Sequence, residues 1–304
     1  MVRHATPRQV RVRVPATTAN LGCGFDVLGL ALQLYNTFTL TLTPEPGWRV
    51  DLPDGVNLPS DGNNLVFKAA HEVFAKVGDK PAGLHLSLDM DIPLARGLGS
   101  SSAAIVGGLL AANALTGNPL KREVLLDMAV EMEGHPDNVT PALMGGLTLS
   151  YEVDECHAFL PLDFPSDLSL IVAIPDFELP TAKARAVLPP QISRADAVFN
   201  CSRTALLVAA LQMKRYDLLP AAMDDRLHQP FRAALVPGME AAMAAGYRAK
   251  ALGVVLSGAG PTLVALARSE SQAVAAAISD AFAAYHVTCR TQLVQADGEG
   301  AVVW

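Results

Sequence analysis

Charge is scarce in this sequence. Asp, Glu, Lys and Arg supply 17% of the 304 residues and hydrophobic side chains 51%. That balance excludes a disordered chain, which needs low hydrophobicity and high charge, and it leaves ample material for a core. Basic charge is scarcer still: 23 Lys and Arg against 30 Asp and Glu leave a formal charge of −7. A general nucleic-acid binder needs a basic footprint, so nucleic acid is not an expected partner. A small anion held by a few placed donors stays open. Cysteine is rare, and Cys23, Cys156, Cys201 and Cys289 form no C-x-x-C pair. They are expected to be free thiols in a reducing compartment, the cytoplasm. A membrane-spanning run is lacking too. The longest uncharged stretch, between Arg96 and Lys121, is broken by Gly97–Ser102 and by Thr116–Pro119. Only Ala103 to Leu115 remains, which is too short to span a bilayer and fits a buried helix. Met1 to Arg13 is basic but has no apolar centre or cleavage site, so no signal peptide is expected. There is no internal repeat and no low-complexity segment.

Apolar periodicity predicts strands at Gln9–Val14, Phe38–Thr43, Trp48–Leu52 and Gly83–Met90, and later at Gly146–Val153 and Leu168–Pro175. Helical spacing covers Asn64–Val77, Ala103–Leu115, Lys121–Glu133 and Ser193–Lys214, then segments around Leu218–Leu227 and Gly238–Ala245. A hairpin is expected from Gly253–Leu256 and Thr262–Ala267. A helix, Ser271–Tyr285, and strands Val287–Val294 and Ala301–Trp304 close the chain. Hairpins among interleaved helices favour α+β over a purely parallel sheet. The length suits one large or two ordinary domains. Pro161 and Pro165 mark the best boundary, giving domains 1–163 and 164–304.

Four segments carry candidate chemistry. Pro93, Leu94, Ala95, Arg96, Gly97, Leu98, Gly99, Ser100, Ser101, Ser102 and Ala103 lie between a strand and a helix. Glycines there let the backbone turn its N–H groups inward, the helix start adds partial positive charge, and serine hydroxyls add donors. This is a phosphate cradle, although a Gly/Ser turn can equally do no more than cap a helix. No Gly-Lys-Ser/Thr closes it, so it is not a Walker A loop, and no G-x-x-G completes a dinucleotide fingerprint. Glu131, Glu133, His135, Asp137 and Asn138 follow another helix. Carboxylates beside a phosphate cradle can hold Mg2+ and orient a hydroxyl; taken alone, this is a polar helix end. One histidine without a second ligand at suitable spacing disfavours zinc. Ser257–Thr262, with Gly258, Ala259 and Gly260, separates two strands and allows close backbone approach, or is an ordinary turn. Asn20 and Asp26, in a Gly-rich loop, could meet an amine or hydroxyl, or merely cap that loop.

In order and context these segments resemble the GHMP family of small-molecule kinases. Pro93–Ala104 is similar to the family's nucleotide loop and Ser257–Thr262 to its C-terminal glycine motif. Ala16–Asp26 and Glu133–Val139 resemble the homoserine-phosphorylating branch. Two residues depart from the pattern: Ser102, where Ala is common, and Cys23, where many relatives have Pro. The resemblance implies a two-lobed α+β fold, a ribosomal-protein-S5-like N-terminal domain followed by a ferredoxin-like C-terminal domain. It implies transfer of the γ-phosphoryl of ATP to the side-chain hydroxyl of L-homoserine, on the route to threonine. By the same resemblance Ser101 and Glu133 would bind Mg2+, and Asp137 would lie near the attacking hydroxyl. Thr181, Arg185 and Arg232 would take the substrate carboxylate, and Asn20 and Asp26 its amine and hydroxyl end. His135 and Asn138 would shape the site. Glu133 is preferred to Glu131 because it abuts Gly134-His135. A homodimer is allowed, not required, and no membrane is expected as a partner. Mevalonate or shikimate kinases of the same fold, and a non-catalytic nucleotide-binding module, remain open alternatives.

Overall fold

The structure, a computed structural model, describes residues 8–304. The first seven residues of the stretch expected to lack a leader lie outside the described residues.

The first lobe is a sheet of seven strands backed by helices. In chain order it contains β1 (Gln9–Ala19), β2 (Leu28–Thr43), β3 (Gly47–Asp51), α1 (Leu65–Val77), β4 (Gly83–Met90), α2 (Ser100–Leu115), α3 (Arg122–Glu133), α4 (Pro136–Met144), β5 (Leu147–Val153) and β6 (Cys156–Leu162). The second lobe contains β7 (Ser169–Pro175), α5 (Thr181–Ala186), α6 (Arg194–Gln212), α7 (Leu219–Ala222), α8 (Gln229–Arg232), α9 (Met239–Arg248), β8 (Gly253–Leu256), β9 (Leu263–Ala267), α10 (Ser271–Ala283) and β10 (Cys289–Val294). The chain then returns to the first sheet, where β11 (Val302–Val303) pairs antiparallel with β1. Sheet order is β11-β1-β2-β4-β3, with β5 and β6 branching from β2; the second sheet runs β10-β7-β9-β8. β3 and β4 are parallel neighbours joined through α1, and the other paired strands are antiparallel.

β7 shows how the lobes join. Leu170, Val172 and Ile174 face a core shared with the first lobe, while Ile171 and Ala173 face a separate core under α9 and α10. Strand alternation therefore buries both faces of the second sheet. α2 runs through the larger core with 13 of its 16 residues buried, so it has no polar face and no amphipathic period. Its N-terminus is the end that matters for the site. Among the described residues no helix is long and apolar enough to cross a membrane.

The structure corrects several expectations. β2 begins ten residues before the predicted Phe38, at Leu28. Its first five residues are all buried, and only the later part alternates, so no period marks its start. α3 ends at Glu133 as expected, capped by Gly134, but α4 was not expected: Pro136 opens it at a first-turn position where a missing N–H is harmless. β6 was not expected. It pairs only with β5 and so tolerates Pro161, which reads as a breaker in sequence. The helix expected around Leu218–Leu227 is only α7. Beyond it the Asp225 carboxylate accepts the N–H groups of Leu227, His228 and Gln229 and leads into α8. The last strand shrinks to Val302–Val303, and β10 starts at Cys289 rather than Val287.

α1 and α2 meet closely at Gly108, where a Cβ would overlap the Val66 carbonyl oxygen and lie 2.8 Å from the Ala69 Cβ. Alanine is the better helix former by about 1 kcal/mol. Parting two packed helices costs about 1–3 kcal/mol, and the Val66 oxygen is backbone that cannot swing aside. Gly108→Ala is therefore expected to lower the unfolding free energy in urea by about 1–2 kcal/mol. A variant as stable as the parent would mean that α1 and α2 can separate freely.

Candidate active site

A cavity of about 410 Å³ opens where the lobes meet. The start of α2 forms one wall. Its cap, Gly99, offers no side chain to the first-turn N–H groups, so these stay available to an anion. Ala95, Gly97 and Gly99 hold φ of 50°, 77° and 70°, the left-handed region. The glycines are needed for a reason that spacing does not reveal. A Cβ on Gly97 would overlap the Ser257 carbonyl oxygen, and one on Gly99 the Thr17 hydroxyl. Protein packs against the back of the loop. The Ser257 hydroxyl donates to the Gly97 carbonyl at 2.6 Å, Thr262 N–H to Arg96 O at 3.3 Å and Leu179 N–H to Ala95 O at 2.9 Å. The second lobe thus clamps the loop. Arg96 directs its guanidinium toward Asp176 and Glu178 at the rim.

At the end of α3, the Ser101 and Ser102 hydroxyls both donate to Glu133 Oε1, at 2.6 and 2.9 Å. Glu131 is exposed and makes no such contact. His135 Nδ1 lies 2.7 Å from Asp137 Oδ1, and its Nε2 lies 3.9 Å from Glu133. Burial disfavours a charged His135, but the hydrogen bond to Asp137 and the two carboxylates outweigh it and raise its pKa above the usual value. Asp137 is buried in the first turn of α4, where the helix start favours a negative charge. Asn138 also reaches Asp137 Oδ1, at 3.4 Å, and is itself held by the Thr17 hydroxyl at 2.8 Å.

The opposite end holds two arginines. Arg185 grips Asp26 with both arms, Nη2 to Oδ1 at 2.7 Å and Nη1 to Oδ2 at 3.1 Å. Arg232 is 2% exposed, yet among the described residues no carboxylate lies within ion-pair distance of it. Its Nε donates to Ala184 O at 3.1 Å and its Nη1 to Gly258 O at 2.9 Å. Burial and the nearby Arg185 charge push its pKa down to about 10, so it stays protonated at neutral pH. Both guanidinium carbons lie about 5.5 Å from the Phe25 ring centroid. Asn20 has both ends of its amide engaged: Nδ2 donates to Gly258 O, and Oδ1 accepts Asp26 N–H.

Most of the expected residues meet at this cavity. Asn20, Asp26, Leu94–Gly97, Gly99–Ser101, Glu133, His135, Asp137, Asn138, Thr181, Arg185, Arg232, Gly258 and Ala259 line it. Pro93, Leu98, Ser102, Ala103 and Gly260 do not; Leu98 and Ala103 belong to the core, and Gly260 faces Leu256 and Leu179. A whole apolar wing escaped the sequence reading. Phe38, Leu58, Leu65, Val66, Leu88 and Met90 extend the cavity, with Asn36, Asn63 and Asn64 among them. No local signal marked this wing: Asn36 lies in polar surroundings between Tyr35 and Thr37, and its Oδ1 accepts the Ile92 N–H at 2.9 Å. Among the described residues no cluster of three or more His, Cys, Asp or Glu could hold a metal.

The chain matches the family models for the GHMP kinases N terminal domain, over residues 64–146, and GHMP kinases C terminal, over residues 207–284. It is 44% identical to a homoserine kinase of Picosynechococcus over 97% of this chain and 99% of that one. Identity to a Carboxydothermus hydrogenoformans homoserine kinase is 46%, over 96% of each chain. A crystal structure of homoserine kinase from Cytophaga hutchinsonii superposes with a TM-score of 0.90 at 32% identity, over 100% of both chains. A mevalonate kinase structure from L. major, at 19% identity and a TM-score of 0.71 over 95% of this chain and 96% of that one, shares the fold.

The clamp on the loop can be tested with two matched glycines. Gly97 and Gly134 both have left-handed φ, but nothing lies within 4 Å of a Cβ on Gly134. Gly134→Ala should cost only the backbone strain, about 1–2 kcal/mol. Gly97→Ala should cost about 1–3 kcal/mol more, because Ser257 and Gly260 backbone is in the way. Equal losses in urea unfolding would mean that the second lobe does not hold the loop.

Proposed function

The chain belongs to the GHMP kinase family, and we propose from that membership and this cleft that it transfers the γ-phosphoryl of ATP to the side-chain hydroxyl of L-homoserine. The product is O-phospho-L-homoserine, on the route to threonine. One observation carries the choice of acceptor: a buried arginine without a carboxylate partner faces a cavity that also holds Asp26. Asp26, Asp137 and Asp225 act on its charge only from beyond ion-pair distance, and a buried cation with no carboxylate in contact is costly unless a ligand completes it. An acceptor with both a carboxylate and an ammonium matches this end of the cleft.

Each end of the cavity has a task. The α2 start and the loop before it bind the phosphates through N–H groups and serine hydroxyls. The apolar wing takes the flat, weakly polar base. Ser101 and Glu133 are oxygen donors and suit Mg2+, which is often bound through one or two protein carboxylates together with substrate phosphates. When bound there, the ion would neutralise charge on the phosphates. The homoserine ammonium joins Asp26, and its carboxylate bridges Arg185 and Arg232. The zwitterion thereby extends the existing Asp26–Arg185 pair, so positive and negative groups alternate. Asp137 Oδ1 is occupied by His135 and Asn138, which leaves Oδ2 to meet the hydroxyl. The hydroxyl oxygen bonds to the γ-phosphorus as the bond to ADP breaks, and its proton passes to Asp137. A loose transition state needs little proton removal early, so positioning dominates over base strength. Four free thiols accord with a reducing compartment such as the cytoplasm.

The direct test is ADP release with L-homoserine, mevalonate and shikimate at equal concentration. Homoserine should be turned over fastest by a wide margin; preference for either other alcohol would reject the assignment. Within an active enzyme, Glu133→Gln is expected to lower kcat about 10- to 100-fold and to raise the Mg2+ concentration needed for half-maximal rate. Homoserine KM should change little. An unchanged Mg2+ titration would move the role away from Glu133.

A further inference from the structure

His228 sits where the proposed mechanism has no use for a titratable group. It is 0% exposed, precedes α8, and stacks on Phe25 with ring centroids 5.2 Å apart. Its two nitrogens face partners of opposite demand. Nε2 lies 2.8 Å from the Gly22 carbonyl oxygen, which can only accept, so Nε2 carries the hydrogen. Nδ1 lies 3.2 Å from Arg232 Nη1, which can only donate, so Nδ1 offers its lone pair. The Asp225 carboxylate, 3.5 Å from Nε2, stands on the side that carries the hydrogen. Only the neutral imidazole with hydrogen on Nε2 satisfies both neighbours. Burial and the Arg232 charge keep the ring below its usual pKa and so in that form.

We infer that His228 is a positioning residue for substrate specificity: its Nδ1 lone pair fixes the Arg232 guanidinium so that it can grip the acceptor's carboxylate. This rests on the reading of Arg232 as the carboxylate site. Three neutral acceptors, Ala184 O, Gly258 O and His228 Nδ1, hold the cation in place without cancelling its charge. A carboxylate in the place of His228 would hold Arg232 as firmly but would compete with the substrate. A neutral acceptor orients the arginine and leaves its charge for the ligand. Phe25 packs against all three side chains, stacking on the imidazole and lying under both guanidinium groups.

The two nitrogens can be tested separately. In His228→Asn the side-chain oxygen can occupy the Nδ1 position, which keeps the acceptor for Arg232 and loses the donor to Gly22. In His228→Gln the amide reaches the Nε2 position, which keeps the anchor to Gly22 and loses the acceptor. Steady-state kinetics would be measured with L-homoserine and with aminopropanol, which is homoserine without its carboxylate. His228→Gln is expected to raise homoserine KM about 10-fold, the loss of one hydrogen bond to a charged group. Its kcat, its ATP KM and its rate with aminopropanol should stay close to wild type. His228→Asn should return homoserine KM toward the wild-type value. If Asn is as damaging as Gln, or more so, His228 serves only to anchor Gly22 and the inference fails. An active wild type with an unchanged Gln variant also overturns it, leaving the acceptor assignment intact. A wild type that releases no ADP with homoserine overturns the acceptor assignment and this inference together.

Discussion

A positive charge buried with no carboxylate in contact organises one end of the cleft. Arg232 is nearly inaccessible, and two carbonyl oxygens and one imidazole nitrogen take three of its five hydrogens, those on Nε and Nη1. Taking a cation out of water without pairing it is unfavourable, and the surrounding chain is arranged to tolerate this. The Asp225 carboxylate caps the turn into α8, α5 presents the Ala184 carbonyl, and the glycine-rich loop presents the Gly258 carbonyl. Asn20 binds the same Gly258 oxygen from the first lobe. The second lobe thus holds the arginine, the first lobe steadies one of its partners, and no carboxylate in contact cancels its charge.

The loop before α2 obeys a related constraint. The first-turn N–H groups of α2 are left free by the Gly99 cap, and the loop's reverse side is packed against Thr17 and the Ser257–Gly260 backbone. The glycines therefore answer to protein contacts as well as to a ligand. The C-terminal glycine motif acts on both ends: Ser257 holds Gly97, and Gly258 holds Arg232. A short turn between two strands thus fixes the loop before α2 relative to Arg232.

What could be read from the sequence depended on element length and on burial of one face only. α1 and β4 have clean periods and were placed to within a residue. The start of β2 is buried throughout and carries no period, so it was invisible. α5 and α8 span six and four residues, too few for any period, and they carry Arg185 and Arg232. Those arginines came from family resemblance, not from pattern. The Asp26–Arg185 pair joins residues 159 apart in sequence, and nothing local announces it. The apolar wing was illegible for another reason: Leu88 and Met90 look like any core strand residues until the cavity beside them is seen. The serines were legible as donors, but not that two of them share one oxygen of Glu133.

The central claim is that Arg232 recognises the acceptor by its carboxylate. The most direct measurement is kcat/KM for L-homoserine and for aminopropanol in wild type, Arg232→Ala and Arg232→Lys. Each charge-assisted bond is worth about 1.5–3 kcal/mol, so Arg232→Ala should lower the homoserine value about 10- to 200-fold. The aminopropanol value should barely move, and lysine should restore only part of the loss because it lacks the paired fork. If both alcohols lose equally, or neither changes, Arg232 does not read the carboxylate and the account of the acceptor site is wrong.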